Sequence, residues 1–322
     1  MEKNIKKLLI ILIPLLFLTL SATAADYGGF VSLNSSYDSN AGTNLSTTTT
    51  EKRKSFNGDI SGELSSDIFV YPYKGIYFDY MNSLSYTFTD SQYSFFFQAA
   101  EIAYEFEFEN LDIIPGFQFG HTVNDFTQNY NRIEVEPYFE LMFYPFETFS
   151  NSIRLSFLYQ KPFDSLDIYN KGYGFSLDAG ELLYLFGKKS ILFLNTVFSV
   201  FLLEDSTETY VNTVVEKKNS YLSLSQFVKI KIRAGILEIS PAFNYDFMYF
   251  LDEDVWNNNQ KKRQDHLLSP SLSFVLNFTK HFSLGLIYKY DKNISNIGSD
   301  SADYDDLNYD RHRIFLEIAS NF

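Results

Sequence analysis

The sequence predicts an all-β chain: a transmembrane, antiparallel, up-and-down β-barrel of fourteen strands, with twelve or sixteen as alternative counts and no plug domain. Three observations predict it. Apolar and polar residues alternate with period two over most of the 322 residues. The alternating stretches are joined by connections that are short at one end and include all the long ones at the other. Aromatic residues make up 18% of the chain, and they crowd the ends of those stretches.

Composition removes several other classes. There is no cysteine, hence no structural disulfide, Cys-based metal site, thiol nucleophile or lipid-modified cysteine. The formal charge of −14 and a pI near 4.7 argue against nucleic acid, whose phosphates need a basic face. A mean hydropathy of −0.14 is too polar for a bundle of membrane helices, and 45% hydrophobic residues is too many for a disordered chain.

The chain begins as an export signal. Lys3, Lys6 and Lys7 form a positive start, Leu8 to Leu20 an apolar run, and Ala22-Thr23-Ala24 a small-residue cleavage site. The run is too short to cross a bilayer, which takes about 20 residues, so a retained anchor is disfavoured. Residues 1–24 are read as a cleaved signal peptide and 25–322 as the barrel.

The period-two signal is clearest at residues 101–108. Ile102, Tyr104, Phe106 and Phe108 fall on one parity, and Glu101, Ala103, Glu105 and Glu107 on the other. Side chains of a strand point alternately to opposite faces, so this stretch has an apolar face and an acidic one. Ile133, Val135, Phe139, Leu141 and Phe143 likewise oppose Glu134, Glu136, Tyr138 and Glu140. Fourteen such segments are expected at 27–37, 54–66, 74–89, 93–109, 112–126, 129–144, 150–161, 167–183, 189–203, 217–231, 235–250, 265–279, 281–291 and 309–322. An even count puts both chain ends at one end of the barrel.

Connections give an independent check. Those after even-numbered strands are tight, such as Asn110-Leu111 and Ile232 to Ala234; 67–73 is the longest of them. Those after odd-numbered strands include 38–53, 204–216, 251–264 and 292–308. Tyr71, Tyr73, Phe143, Tyr144, Phe146, Phe149, Tyr184, Phe186 and Phe322 are expected to girdle one end, and Tyr86, Phe88, Phe126, Tyr130, Tyr159 and Tyr173 the other. A secreted β-sandwich would also alternate. Its strands, however, would be about five or six residues long, and its interior could not hold this much charge. Pro115, Pro137, Pro241 and Pro270 fall inside expected strands, all on the apolar parity, where each removes a ladder hydrogen bond.

The last ten residues, Arg313 to Phe322, put Ile314, Leu316, Ile318 and the terminal Phe322 in phase. This resembles the C-terminal strand of bacterial outer-membrane β-barrel proteins, whose terminal aromatic is part of the signal read by the barrel-assembly machinery. The strand number and length resemble the OmpG-type monomeric porins. That resemblance implies a passive channel for ions and small hydrophilic solutes in the outer membrane of a diderm bacterium. It implies short turns and both termini on the periplasmic side, and the partners expected are outer-membrane lipid, the assembly machinery and the permeating solutes. A FadL-type transporter of hydrophobic compounds is the alternative, but nothing precedes the first strand that could form that family's N-terminal hatch. A surface adhesin or receptor displaying its loops is the other.

The polar parity supplies the candidate site. Acidic residues expected to line a pore are Asp59, Asp79, Glu101, Glu105, Glu107, Glu134, Glu136 and Glu140, with Glu63, Asp178, Glu238, Asp246 and Glu317 on the same parity. The bases are Arg132, Arg154, Lys229, Lys289 and Arg313, with Lys231 beside them. Such charges require water inside, and the acidic surplus favours cations. Acids gather on strands two to six and bases on strands ten to fourteen, which would set a field across the pore.

Outside the pore, Asp291, Asp300, Asp303, Asp305, Asp306 and Asp310 make the 292–308 loop and its flanks acidic. Its neighbours carry Lys52-Arg53-Lys54 and Lys261-Lys262-Arg263, an arrangement that could close over the mouth. Calcium at Asp303, Asp305 and Asp306 matches no known loop spacing. His121, His266, His281 and His312 show no base-and-nucleophile arrangement. No enzyme activity, cofactor or metal is expected.

Overall fold

Alternation of this length becomes strands because only period two keeps each apolar side chain on one face. The computed structural model describes residues 26–38, 59–73, 75–87, 95–124, 130–162, 171–186, 189–203, 207–210, 213–216, 220–253, 262–296 and 308–321. The export-signal segment, the acidic 300–306 stretch and Lys52-Arg53-Lys54 lie outside these residues. So do Phe88 and Phe126, and the side chains of Tyr73, Tyr86, Tyr130 and Phe322.

The barrel strands are β1 (Asp26–Asp38), β2 (Asp59–Tyr73), β3 (Ile76–Thr87), β4 (Phe95–Tyr104, resuming briefly at Phe106–Glu107), β5 (Leu111–Asn124), β6 (Tyr130–Phe146) and β7 (Phe149–Pro162). They continue as β8 (Gly172–Leu185), β9 (Ser190–Leu203), β10 (Tyr221–Ala234), β11 (Leu237–Glu253), β12 (Lys262–Asn277), β13 (Phe282–Ser295) and β14 (Tyr309–Asn321). Each pairs antiparallel with its chain neighbours, and β1 pairs β14 with Leu33 opposite Ile318. The sheet therefore closes with no edge, as a membrane-spanning sheet must. A separate short hairpin, Thr207–Tyr210 with Thr213–Glu216, stands in the connection between β9 and β10.

Strand number and topology agree with the sequence reading; several boundaries do not. The largest shift is in β2, expected to end at residue 66 but running to Tyr73. Asp67 to Tyr71 carries no Gly or Pro, and the turn comes only after Pro72, at Gly75, which takes φ 81° and supplies the conformation a tight turn demands. Tyr71 therefore belongs to a strand, on the same parity as Asp67 and Phe69. β12 begins at Lys262 and β13 extends to Ser295, which moves Lys262 and Arg263 out of the expected loop and puts Asp291, expected at the last position of its strand, well within the wall.

Four prolines in the middle of strands, Pro115, Pro137, Pro241 and Pro270, follow one rule. Each keeps its ladder on one side: Pro115 opposes Phe139, Pro137 opposes Phe117, Pro241 opposes Leu272, and Pro270 opposes Phe243. On the other side of each, the pairing skips two residues per strand and resumes in register. The skips lie between Ala103/Gly116 and Phe106/Ile113, Val135/Tyr159 and Tyr138/Ser156, Lys229/Ala242 and Ile232/Ile239, and Leu268/Lys292 and Ser271/Lys289. A proline has no N–H to give, so its missing donor faces the gap. The break in β4 at Glu105 is the first of these gaps. The pattern is twofold: β5–β6 and β11–β12 are each a ribbon that stays paired beside its prolines, with a proline gap on both flanks.

Candidate functional site: the inner wall

The two faces of the sheet are told apart by which side chains reach one another. Neighbouring strands lie about 4.8 Å apart, so β4 and β7 are separated by roughly 14 Å along the wall. Yet Arg154 of β7 comes within 3.8 Å of Glu101 of β4. Side chains converge that far only on the concave face, which makes this parity the inside. The other parity presents Phe117, Phe175, Leu286 and Leu316, each more than two-fifths exposed, as an apolar outer surface.

On the inner face, Asp79, Glu101, Gln118 and Glu136 are successive cross-strand partners from β3 to β6. Glu140, Arg154 and Asp178 are successive partners from β6 to β8. Tyr138 is the hinge of this group. It leans across β5 and its hydroxyl donates to Glu101 Oε1 at 2.5 Å. The crossing is possible because β5 has Gly116 there: a Cβ at Gly116 would fall 2.1 Å from Tyr138 Cζ. The Arg154 guanidinium lies 3.5 Å above the Tyr138 ring and 3.9 Å from Glu136. Asp178 accepts from Asn195 Nδ2 at 2.8 Å.

A second group lies on β10–β14. Asp291, 2% exposed, accepts from Ser269 Oγ at 2.6 Å and is ion-paired to Lys289 at 3.3 Å and to Arg313. Glu238 holds both Lys231 and Arg233 at 3.1 Å. Arg263 pairs with Asp265 at 2.9 Å and sits 3.8 Å from the Phe250 ring. The expected basic loop 261–263 thus loses Lys262 and Arg263 to β12, and Asp291, expected at the edge of the acidic loop, lies within the wall, because these strands run longer than their apolar residues announce.

Polar side chains face one another across the proline gaps on the inside. Lys231–Glu238 joins β10 to β11 and Ser269–Asp291 joins β12 to β13, while Arg154 of β7 stands 3.9 Å from Glu136 of β6. Tyr138–Glu101 passes over the gap side of β5. Where the backbone gives up hydrogen bonds, the inner polar side chains supply substitutes.

The remaining candidates fall as follows. Glu134 pairs with Arg132 at 2.8 Å. Lys229 and Glu317 share the inner face, and Glu63 accepts from Ser83 at 2.7 Å. Asp59 opposes Asp38 in the register, and its side chain lies outside the described residues. Glu105 stands in the β4 break, its N–H donating to Gly75 O at 2.6 Å, and Glu107 opposes Asp112 in the two-residue resumption near the barrel's end. Sequence reasoning missed Asp67, Asp112 and Asp265 among the acids and Arg233 and Arg311 among the bases. Carrying the parity of β2 past residue 66 would have found Asp67. Three histidines face outward: His121 with Gln98, His266 with Tyr245, and His312 with Tyr288, at 3.1, 2.9 and 2.8 Å. His281 lies at a bend, bonded to Asn321 O at 2.9 Å. Among the described residues no group of His, Asp and Glu is disposed to hold a metal ion.

Among solved structures, the chain is similar to the outer-membrane channel DcaP of Acinetobacter baumannii. The TM-score is 0.53 at 11% identity, covering 92% of this chain and 97% of that one. The chain shares the fold of that protein, a closed antiparallel β-barrel. The match reaches nearly end to end, so the likeness is one of whole barrels. An anion-selective porin from Comamonas acidovorans also matches, with a TM-score of 0.46 and 10% identity, covering 93% of this chain and 99% of that chain. No protein-family model and no curated protein sequence matches.

Proposed function

We propose that this barrel is an outer-membrane channel for passive diffusion of ions and small hydrophilic solutes, with a preference for cations. One observation carries the reading: a closed barrel with an apolar outside holds carboxylates and bases across its inner face. Fixed charges in a dry interior would cost several kcal/mol each, so the inside is wetted. Fourteen strands stand between the filled eight-stranded barrels and the sixteen-stranded ones that hold an aqueous channel. Acids dominate β2 to β6, while seven bases, Lys229, Lys231, Arg233, Arg263, Lys289, Arg311 and Arg313, lie on β10 to β14. Low-dielectric walls focus the resulting field across the lumen. In this reading both termini face the periplasm, membrane lipid covers the apolar outside, and the barrel-assembly machinery inserts the chain.

The test is single-channel recording in a planar bilayer, with the reversal potential taken under a salt gradient. Stable openings with a cation-selective reversal are expected. Neutralising Glu101, Glu105, Glu134 and Glu136 together should move the reversal towards zero. A correctly folded barrel that passes no current would defeat the proposal.

A further inference from the structure

The group around Tyr138 contains one cation and more than one carboxylate waiting for it. Arg154 lies 3.8 Å from Glu101 and 3.9 Å from Glu136, beyond the 2.7–3.2 Å of a hydrogen-bonded bridge. Its charge is shared between the two carboxylates and seated on neither. Glu140, directly opposite Arg154 in the register, has neither a hydrogen bond nor an ion pair among the described residues. Asp79, the cross-strand neighbour of Glu101, is 6% exposed, and its Oδ1 is buried without a hydrogen-bond partner. That last feature is independent of the acidic count: one oxygen of Asp79 is held out of bulk water beside the cluster without a partner, while the group's hydrogen bonds go to Tyr77 and Asp67.

The chemistry the wall accepts is visible in its own occupant. A guanidinium lies flat on the Tyr138 ring at 3.5 Å with acidic oxygens around its edge. A planar cation with several donors suits acceptors spread along the wall, whereas a metal ion needs oxygens gathered on one point. No such gathering exists among the described residues.

We propose that this part of the inner wall is a binding site for solutes that carry a guanidinium group, with Arg154 as the resident occupant that such a solute displaces or joins. The site deepens the channel reading and rests on it. Arginine-like solutes would bind by stacking on Tyr138 and donating to Glu101, Glu136 and Glu140, and would pass down the acidic side of the lumen.

The full-length barrel, refolded into a planar bilayer, tests this under bi-ionic conditions with guanidinium chloride opposite potassium chloride, both at about 0.1 M. In Arg154→Met the guanidinium-to-potassium permeability ratio should rise about two- to fivefold, the worth of one cation–π contact. Adding Tyr138→Leu should cancel that rise while leaving cation-over-anion selectivity in place. Should Arg154→Met not fold, Arg154→Lys keeps the charge without the planar stack and should give a smaller rise. An unchanged ratio in whichever variant folds overturns the site. If the wild type carries no potassium current, the channel reading fails separately, and methylguanidinium is titrated calorimetrically into the detergent-solubilised variant. Binding heat that disappears in Glu101→Gln/Glu136→Gln supports the site; no heat overturns it.

Discussion

Gly116→Ala should destabilise the barrel through a residue on the next strand. An alanine Cβ would stand 2.1 Å from Tyr138 Cζ and 2.3 Å from its hydroxyl oxygen, so the ring must swing away. The atoms struck are the far end of a side chain, so the backbone can stay, but the Tyr138–Glu101 hydrogen bond cannot. Both residues are buried, Glu101 at 9% and Tyr138 at 7% exposure, and hydrogen bonds to charged groups contribute about 1.5–3 kcal/mol. The Arg154 stack on the displaced ring goes as well, worth about 0.5–1 kcal/mol. With the wetted lumen of the proposed channel the lower end applies, and Gly116→Ala should cost about 2 kcal/mol. The assay is reversible urea unfolding of the folded barrel in detergent or lipid, run as a double-mutant cycle with Tyr138→Ala. In the Tyr138→Ala background, Gly116→Ala should be neutral or slightly stabilising, since alanine outranks glycine in a strand. The coupling between the two sites should therefore be close to the whole 2 kcal/mol. Coupling below about 0.5 kcal/mol, the usual error of additivity, would refute the steric argument.

Three other outcomes are expected. Pro270→Ala restores an N–H at a ladder gap, so it should change stability by no more than about 1 kcal/mol, and amide exchange between β12 and β13 should slow. Leu272→Pro, two residues away on a paired stretch, should cost about 3 kcal/mol or more, and similar losses for both would contradict the gap rule. Asp291→Asn strips the counter-charge from Lys289 and Arg313, and breaking such a buried pair costs about 3–5 kcal/mol. Adding Arg313→Met should recover part of that loss in the same unfolding assay, and no recovery would show that Asp291 stabilises by other contacts. Glu238→Gln should weaken the β10–β11 seam, read as faster exchange of the Ile232 and Ile239 amides than in the wild type.

Much of the architecture is local and therefore legible. Period two at Glu101–Phe108 or Ile133–Phe143 assigns each residue to a face without knowledge of any other strand, and counting such segments yields the fourteen that close the barrel. Legibility fails where a strand outruns its apolar residues. Asp67 and Arg263 read as loop, and Asp291 as the flank of one, because charged residues continue the ladder at those ends, and a hydropathy pattern has no term for a charge on the inner face.

The sequence by itself determined strand number, topology and the inward parity of most charges, because side-chain alternation is a property of a single strand. Only the tertiary structure decided which of those charges meet. Tyr138 finds Glu101 across Gly116, and Arg154 reaches it across two intervening strands. Pro115, Pro137, Pro241 and Pro270 each turn the side without an N–H towards a gap. These depend on the register of strands distant in the chain and on the curvature of the closed wall, and neither is written in the spacing of any one segment.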